Sequence, residues 1–555
     1  MYRIPTLLGL ACLAAPLAAQ SGGATRIVDK VLGASERYHL GSQMVVIGDV
    51  TGDGIPDYAA AADLTGAGSP GDHDTVYLHS GADGSLLFTW MEHTGVEQFG
   101  SAIAAAGDVN ADGFPDIVVG AQNAEVNGLP FYGAAYVYSG ADGTELYRFD
   151  GQEEGSSFGY SVAGAGDYNA DGFDDIIVGA PDEDYFFGLH EDAGAVYVYS
   201  GFDGSLLALY RGNAFDEMGS SVAGAGDLNG DGHDDVLIAA AGFAIPGSYG
   251  SGAVFAYSGA SRSLLHAFIH GFTEDFFGQQ VKSMADIDGD GVREILISSS
   301  PSQDAIVHLY SGSSGQQLHA FQEVETSSAF GSTTADAGDV DGDGVHDILI
   351  GARFQQSPLG PEVGAVFLHS GADFHRIATL TGTEANQWFG GSVSGLGDRD
   401  GDGRDEFLIA VTNADTVNGR NSGLVQTYTF DPFLMAGDTQ LSMSGATSLD
   451  LELDFPVEEA GRTYRVLASL RGTTPDLLHG VSIPLEQDAV FQSLLQSSAI
   501  SGNLDANGDA SHSLVSPRVV PGLIGRDLHF AAVSFDPVTG TASLSSVART
   551  VELTP

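Results

Sequence analysis

The sequence predicts an all-β protein, a seven-bladed β-propeller followed by a C-terminal β-sandwich-like domain. Three observations predict this fold. An acidic motif recurs seven times at nearly constant spacing, four short apolar segments separated by turn residues fill each interval, and none of these segments has helical periodicity. With 77 glycines among 555 residues and 43% hydrophobic residues, the chain has both the turns of a β-rich protein and enough apolar side chains for a core.

The acidic motif has the pattern Asp-x-Asn/Asp-x-Asp-Gly-x-x-Asp/Glu, with a threonine at the third position of the first copy. Successive copies begin 53 to 60 residues apart. A regular internal period of this kind indicates a repeated structural unit. The first acids of the seven copies are Asp49, Asp108, Asp167, Asp227, Asp286, Asp339 and Asp398.

Each interval repeats the same order of strand and turn signals. In the third copy, the small-residue strand Ser161–Ala165 precedes the acidic loop, the apolar run Ile176–Ala180 follows it, and Gly194–Tyr199 alternates small and aromatic residues. A Ser-Gly-x-Asp-Gly turn, as at Ser80–Gly84, leads to a last strand. Four antiparallel strands make one propeller blade, and seven blades around an axis bury one another's faces. A parallel β-helix is the alternative, but its repeats are usually much shorter.

The alternating acids predict a calcium ion in each loop, up to seven in all. In the third loop, acids and an asparagine occupy positions 1, 3, 5 and 9, and Gly172 permits the sharp turn at position 6. This is the alternating-oxygen pattern of a calcium loop, and oxygen ligands without histidine or cysteine favour calcium over zinc or copper. The predicted ligands are Asp49, Thr51, Asp53, Asp57, Asp108, Asn110, Asp112, Asp116, Asp167, Asn169, Asp171, Asp175, Asp227, Asn229, Asp231, Asp235, Asp286, Asp288, Asp290, Glu294, Asp339, Asp341, Asp343, Asp347, Asp398, Asp400, Asp402 and Glu406.

The alternative is that these loops are ordinary Asp-Gly hairpin turns, but such turns do not require acids at positions 1, 3, 5 and 9 in every copy. The first loop is the weakest candidate, because the hydroxyl of Thr51 is a poorer ligand than a carboxylate. Glu294 and Glu406 reach further than aspartate does and should still permit ligation. Bound calcium would also stabilise a chain whose only cysteine is Cys12.

An aromatic-glycine pair, as at Phe158-Gly159, precedes the acidic loop in five copies, with Leu40-Gly41 and Met218-Gly219 in the other two. The third copy also has Gly179-Ala180-Pro181 after its loop. Together with the loop between them, these elements resemble the FG-GAP repeat of integrin α chains over roughly residues 30–432. The resemblance implies a calcium-binding propeller. Similar repeats occur in bacterial extracellular proteins of many roles, and a bacterial secreted protein is our expectation.

The termini predict export and a second domain. Residues 1–19 have a positive charge at Arg3, an apolar stretch and a small-residue cleavage site, as in a secretory signal peptide. Lipid attachment at Cys12 is the alternative, although the residues before it form a poor attachment site.

The period stops near Met435, and residues 435–555 have alternating strands that suggest a small β-sandwich. Asp505, Asn507 and Asp509 resemble a calcium loop but lack its glycine and closing acid, so we interpret them as a hairpin turn.

The net charge of -54 argues against nucleic acids and anionic membranes as partners, and no segment is long and apolar enough to span a bilayer. Gly155–Gly159 matches the G-x-S-x-G pattern of serine hydrolases, but the repeat accounts for it, and we expect no enzyme.

We expect a secreted or cell-surface (or periplasmic) binding or adhesion module for a protein or glycan ligand. The alternatives are a structural surface-layer component and a hydrolase or lyase of an extracellular polymer. The sequence does not indicate an oligomeric state.

Overall fold

The chain forms two compact units in its computed structural model, Thr25–Asp431 and a second unit of Met1–Ala24 with Pro432–Pro555. The described residues are 21–554 apart from 35–37, 63–73, 92–96, 185–190, 246–249, 271–275, 300–304, 324–327, 433, 437–439, 443–447, 455–462, 470–475, 479–480, 484–500, 504–508, 516–526, 536–541 and 547–548. The predicted signal peptide, and Asp505 and Asn507, lie outside them. The described residues contain strands and no helix, and hence no helix able to cross a membrane.

The first unit is a seven-bladed propeller, as predicted. Six blades are four-stranded antiparallel sheets whose strands pair in chain order. They are β2 (Leu40–Gly48), β3 (Asp57–Ala62), β4 (Thr75–His79), β5 (Leu86–Met91); β6 (Phe99–Gly107), β7 (Asp116–Ala121), β8 (Ala134–Tyr138), β9 (Glu145–Asp150); β10 (Ser161–Gly166), β11 (Asp175–Ala180), β12 (Ala195–Tyr199), β13 (Leu206–Arg211); β14 (Met218–Gly226), β15 (Asp235–Ala240), β16 (Ala253–Tyr257), β17 (Leu264–Ile269); β18 (Gln280–Met284), β19 (Glu294–Ser299), β20 (Ile306–Tyr310), β21 (Gln317–Gln322); and β22 (Phe330–Gly338), β23 (Asp347–Ala352), β24 (Ala365–His369), β25 (Arg376–Thr381).

The seventh blade closes the ring with a strand from the other end of the chain. Its own strands are β26 (Phe389–Gly397), β27 (Glu406–Val411) and β28 (Leu424–Pro432), and its outer strand is β1 (Ser21–Leu32). The N–H of Gly33 donates to the carbonyl of Gly423 at 2.9 Å, and the guanidinium of Arg399 contacts both Asp29 (3.4 Å) and the carbonyl of Ala82 in the first blade (2.6 Å). The seventh copy thus differs from the others, since the turn and strand expected after β28 are replaced by β1.

The hydrophobic core lies between the blades. Every residue of the second strand is buried in all seven blades, whereas the fourth strands of the first six blades mix exposed, half-buried and buried residues. Between the first two blades, Ile47 and Leu78 of one pack with Phe99, Val119 and Tyr136 of the next. Because the inner strands have neighbours on both faces, they consist of almost continuous apolar residues rather than alternating ones.

The aromatic-glycine pair forms a tight turn at the start of each first strand. In all seven copies, the residue after the pair donates its N–H to the carbonyl of the residue before it. The glycine has φ between 74° and 94°, as the third position of a type II turn requires. The preceding apolar side chain is at most 5% exposed. At Gly159, a Cβ would lie 2.3 Å from the carbonyl oxygen of Ala134, so the turn also needs the absence of a side chain.

The second unit is also built of strands. One sheet has the order β29-β31-β36, another has β38-β37-β32-β35 with β39 and β30 attached, and β33 pairs with β34. The described residues of this unit are therefore all-β, and the packing of its sheets as a β-sandwich stays a prediction. The strands are β29 (Leu434–Ala436), β30 (Gln440–Ser442), β31 (Ser448–Asp454), β32 (Thr463–Ser469), β33 (Asp476–Leu478), β34 (Val481–Ile483), β35 (Ser501–Asn503), β36 (Asp509–Val515), β37 (Asp527–Phe535), β38 (Ala542–Ser546) and β39 (Arg549–Thr554).

We predict that Gly159→Ala destabilises the propeller by about 3 kcal/mol, because left-handed strain and overpacking against a backbone carbonyl act together. Gly155→Ala is the matched control, since Gly155 has a similar φ of 79° but nothing within 4 Å of the added Cβ. Its cost should be only about 1–2 kcal/mol. Denaturant unfolding measures both, and equal losses would contradict the close packing assigned to this turn.

Candidate metal centres

Each acidic loop joins the first and second strands of a blade. In the first blade, β2 ends at Gly48, the loop begins at Asp49, and Asp57 is the first residue of β3. The antiparallel strands therefore bring positions 1 and 9 together, although seven residues separate them in the chain. The same placement holds in the other six blades, so the predicted ligands of each loop lie around one turn.

Hydrogen bonds fix the acids of each loop in the same arrangement. In all seven loops, the carboxylate at position 1 accepts from the N–H of the glycine at position 6 at 2.7–3.0 Å. The carboxylate at position 5 accepts from the N–H at position 7 at 2.9–3.1 Å. The position 6 glycine has φ between 85° and 91°, which explains why this residue is glycine in every copy.

The carboxylate at position 9 joins the two turns at the same end of a blade. Asp57 is fully buried; one oxygen accepts from the N–H of Val50 in its own loop, and the other accepts from the N–H of Gly81 in the turn between the third and fourth strands, both at 2.9 Å. The second bond recurs at 3.0–3.2 Å in four more blades, with Asp116, Asp175, Asp235 and Asp347.

The two glutamates at position 9 differ, as their extra methylene suggests. Both oxygens of Glu294 accept within its own loop, from the N–H groups of Ile287 (3.0 Å) and Asp288 (3.2 Å). Glu406 accepts from the N–H of Arg399 at 2.7 Å, and its Oε1 is buried without a hydrogen-bond partner among the described residues.

These buried acids are poorly solvated. Burial, together with the neighbouring loop carboxylates, raises the pKa of Asp116 and Asp175 to about 7 and that of Asp235 to about 6. Burial likewise raises the pKa of Glu294 to about 7, and the pKa values of the position 9 acids in the first, sixth and seventh loops are also raised. A cation beside these groups would favour their charged forms.

Three loops gather enough carboxylates to hold a metal ion. Three of the four acids in each of the fifth, sixth and seventh loops offer oxygens within 4.8 Å of one another. Ligands about 2.3–2.6 Å from one ion are at most about 5 Å apart, so this spacing fits a single hard cation. The three groups are Asp286, Asp288 and Asp290; Asp339, Asp341 and Asp347; and Asp398, Asp400 and Glu406.

The first four loops have a neutral residue at position 3, and among their described residues no three carboxylates come this close. Their third ligand would be the hydroxyl of Thr51 or the amide oxygen of Asn110, Asn169 or Asn229. In the third loop, Oδ1 of Asn169 is buried without a hydrogen-bond partner among the described residues. This oxygen, like Oε1 of Glu406, is therefore available to bind a metal ion.

Family comparisons match the same repeats. The model of the FG-GAP repeat matches residues 158–199 and 218–257, and the model of the FG-GAP-like repeat matches residues 49–119 and 286–350. The chain is an FG-GAP, integrin-α-like β-propeller. The repeat resemblance inferred from the aromatic-glycine pairs and acidic loops is therefore confirmed.

Curated relatives of this integrin-α-like chain are integrin α subunits. Integrin alpha-5 of Xenopus laevis is 33% identical over 214 residues, which are 36% of this chain and 19% of the relative. Integrin alpha-8 of Mus musculus is 32% identical over 35% of this chain and 19% of the relative, and integrin alpha-4 of Xenopus laevis is 27% identical over 43% and 24%. The match therefore spans about a fifth to a quarter of these relatives. A solved structure of the Dos1 propeller aligns at a TM-score of 0.37 and 12% identity, covering 68% of this chain and 76% of that one.

The integrin-α-like propeller also links acidic loops of adjacent blades, which the sequence analysis missed. The carboxylate at position 8 of the third loop, Asp174, accepts from the N–H of Asp108 in the second blade at 2.7 Å. The N–H of Asp174 donates in return to the carbonyl of Asp108 at 3.3 Å. The same two-bond link joins Asp234 to Asp167 and Asp405 to Asp339. Its sequence signal is the aspartate at position 8, which occurs in only these three copies.

Ser157, the serine of the G-x-S-x-G match, lies in the tight turn of the third copy. Its φ of 54° resembles that of a strained nucleophile, but the equivalent residue has φ between 44° and 56° in all seven copies. The conformation therefore belongs to the repeat. The hydroxyl of Ser157 donates to Asp182 at 2.6 Å, and a strand rather than a helix follows the turn.

We predict that Asp174→Ala lowers the free energy of unfolding by about 1–3 kcal/mol, because the N–H of Asp108 loses its acceptor. Asp174→Asn keeps an acceptor oxygen and removes only the charge, so its effect should stay within about 0.5 kcal/mol. Denaturant unfolding with calcium present measures both variants. A comparable loss in the two variants would assign the stabilisation to charge instead of the hydrogen bond.

Proposed function

We propose that this protein is a secreted, calcium-loaded binding module that recognises a ligand outside the cell. The observation that carries the proposal is a difference between the two faces of the propeller. The acidic face holds the loops between first and second strands and between third and fourth strands. The variable face holds the loops at the other strand ends. The seven acidic loops follow one pattern, whereas the loops of the variable face, apart from the aromatic-glycine turns, differ in sequence between the copies.

The variable face presents a different side chain in each blade at one equivalent position. The residue before each aromatic-glycine pair has a left-handed backbone and lies where the first strand begins. These seven positions are His39, Gln98, Ser157, Glu217, Phe276, Ala329 and Trp388.

Large apolar side chains are exposed on the same face. Phe215 and Phe276 lie in the loops that enter the fourth and fifth blades, and they are 56% and 45% exposed. Phe131, Leu359 and Val417 lie in loops between second and third strands and are also exposed. A group of exposed apolar side chains on loops held by a rigid scaffold favours a recognition surface.

Calcium is the cation that we assign to the acidic loops, with up to seven ions bound by the residues at positions 1, 3, 5 and 9. Carboxylate, amide and hydroxyl oxygens are ligands that calcium prefers. Each ion would neutralise acids that are close together in one turn, and so would stabilise the blade that carries the variable loops. No chemistry beyond this structural role is needed.

An extracellular protein or glycan is the ligand class that suits this surface. The relatives are integrin α subunits, and a net charge of -54 disfavours nucleic acid. Secretion rests on the apolar, small-residue pattern of residues 1–19.

The test is capture of surface material by the immobilised chain from Gln20 onward. Envelope and medium from the producing cells are applied with calcium and then with a chelator. We expect a partner that is retained only with calcium. Phe215→Ser combined with Phe276→Ser should weaken capture, whereas Phe202→Ser, a comparably exposed phenylalanine on the acidic face, should leave it unchanged. A folded, calcium-loaded protein that retains nothing would contradict the proposal.

A further inference from the structure

A cavity of about 330 Å³ opens on the variable face where the last and first blades meet. Blades six, seven, one and two all contribute to its wall. Three of the seven variable positions line it, His39, Gln98 and Trp388, together with Gln122 and Arg353 at the ends of second strands. Its volume is in the range of about 300–1,000 Å³ that is usual for small-ligand pockets.

Arg353 brings a positive charge to the cavity wall. Its guanidinium lies over the ring of Phe354, 4.9 Å from the centroid, and no ion pair or hydrogen bond of this side chain is found among the described residues. The chain has only 20 Lys and Arg against 74 Asp and Glu, so an arginine in the wall of a cavity is unusual. A guanidinium can bind a carboxylate through two parallel hydrogen bonds.

Trp388 forms a fixed aromatic wall beside this charge. Its indole N–H donates to the carboxylate of Glu362 at 2.8 Å, its backbone N–H donates to the carbonyl of the same residue at 3.3 Å, and its ring meets the ring of Phe354 edge to face at 5.6 Å. Because the ring is already held, binding a ligand against it costs little conformational entropy.

The remaining wall consists of neutral groups that both donate and accept hydrogen bonds. The side-chain amides of Gln98 and Gln122 bond to each other there, and Gln43 adds a third amide. The buried hydroxyl of Ser101 has no hydrogen-bond partner among the described residues. These groups suit a ligand with hydroxyl groups, which both donate and accept hydrogen bonds. Asp74 also lines the cavity.

We propose that this cavity binds an acidic sugar, with its carboxylate on Arg353 and its ring hydroxyls on the amide and hydroxyl wall. The inference rests on the proposed function and names the ligand class for that face. An acidic peptide would also supply a carboxylate, but it has few hydroxyls to match the three glutamines and Ser101. A uronic acid has a ring, several hydroxyls and one carboxylate, and so matches the arginine, the tryptophan, the amides and the serine hydroxyl of the wall.

The test is calorimetric titration of the calcium-loaded chain with trigalacturonate, with the neutral galactotriose, and with a short aspartate-containing peptide. Trigalacturonate should bind at least about tenfold more tightly than either of the others. Arg353→Ala should weaken its binding about tenfold or more, and Arg353→Lys should weaken it less, since lysine keeps the charge without the planar fork. Arg376→Ala is the matched control, because Arg376 also lies over a phenylalanine of the sixth blade, at 4.7 Å, but outside the cavity and paired with Glu323.

Equal binding of the acidic and neutral trisaccharides, tighter binding of the peptide, or an unchanged affinity in Arg353→Ala would each overturn the assignment. The capture experiment separates this failure from failure of the proposed function. If the wild-type chain retains a partner that trigalacturonate does not displace, the acidic-sugar assignment falls and the binding function stands.

Discussion

The structure depends on the buried carboxylate that begins the second strand of each blade. In five blades, this side chain accepts hydrogen bonds from its own acidic loop and from the glycine of the turn between the third and fourth strands. That glycine must be glycine, since a Cβ at Gly81 would lie 1.9 Å from the carbonyl oxygen of Pro56. The acidic loop and the Ser-Gly turn, two separate repeats in the sequence, therefore form one packed unit at the end of the blade.

The charged form of the same carboxylate is electrostatically unfavourable. It lies in a dry environment beside the acids at positions 1 and 5, and both burial and these neighbours raise its pKa. A divalent cation would reverse this balance, because it would attract all the acids of a loop at once. On this account the metal stabilises the acidic face, and the loops of the variable face are left free to differ.

The sequence alone was sufficient to predict the parts of the structure that repeat. Seven copies of the acidic motif predicted seven blades, and in the fifth, sixth and seventh loops three of the four predicted acids come together. It was insufficient where a contact joins residues without a repeated pattern. Residues 25–32 complete the seventh blade by pairing with a strand almost 400 residues away, and nothing in their composition marks this role. The links made by Asp174, Asp234 and Asp405 depend on a position that is proline, arginine or histidine in the other copies. The cavity needs side chains from four blades, and only the closed ring brings Arg353 and Gln98 to one wall.

The most direct test of the account is the metal content of the protein after dialysis against metal-free buffer, measured by inductively coupled plasma mass spectrometry together with thermal unfolding before and after chelation. The account predicts that each chain binds several calcium ions, including one in each of the three four-acid loops. It also predicts a clear fall in melting temperature when the ions are removed. A folded chain that contains no calcium and melts at the same temperature with and without chelator would contradict it.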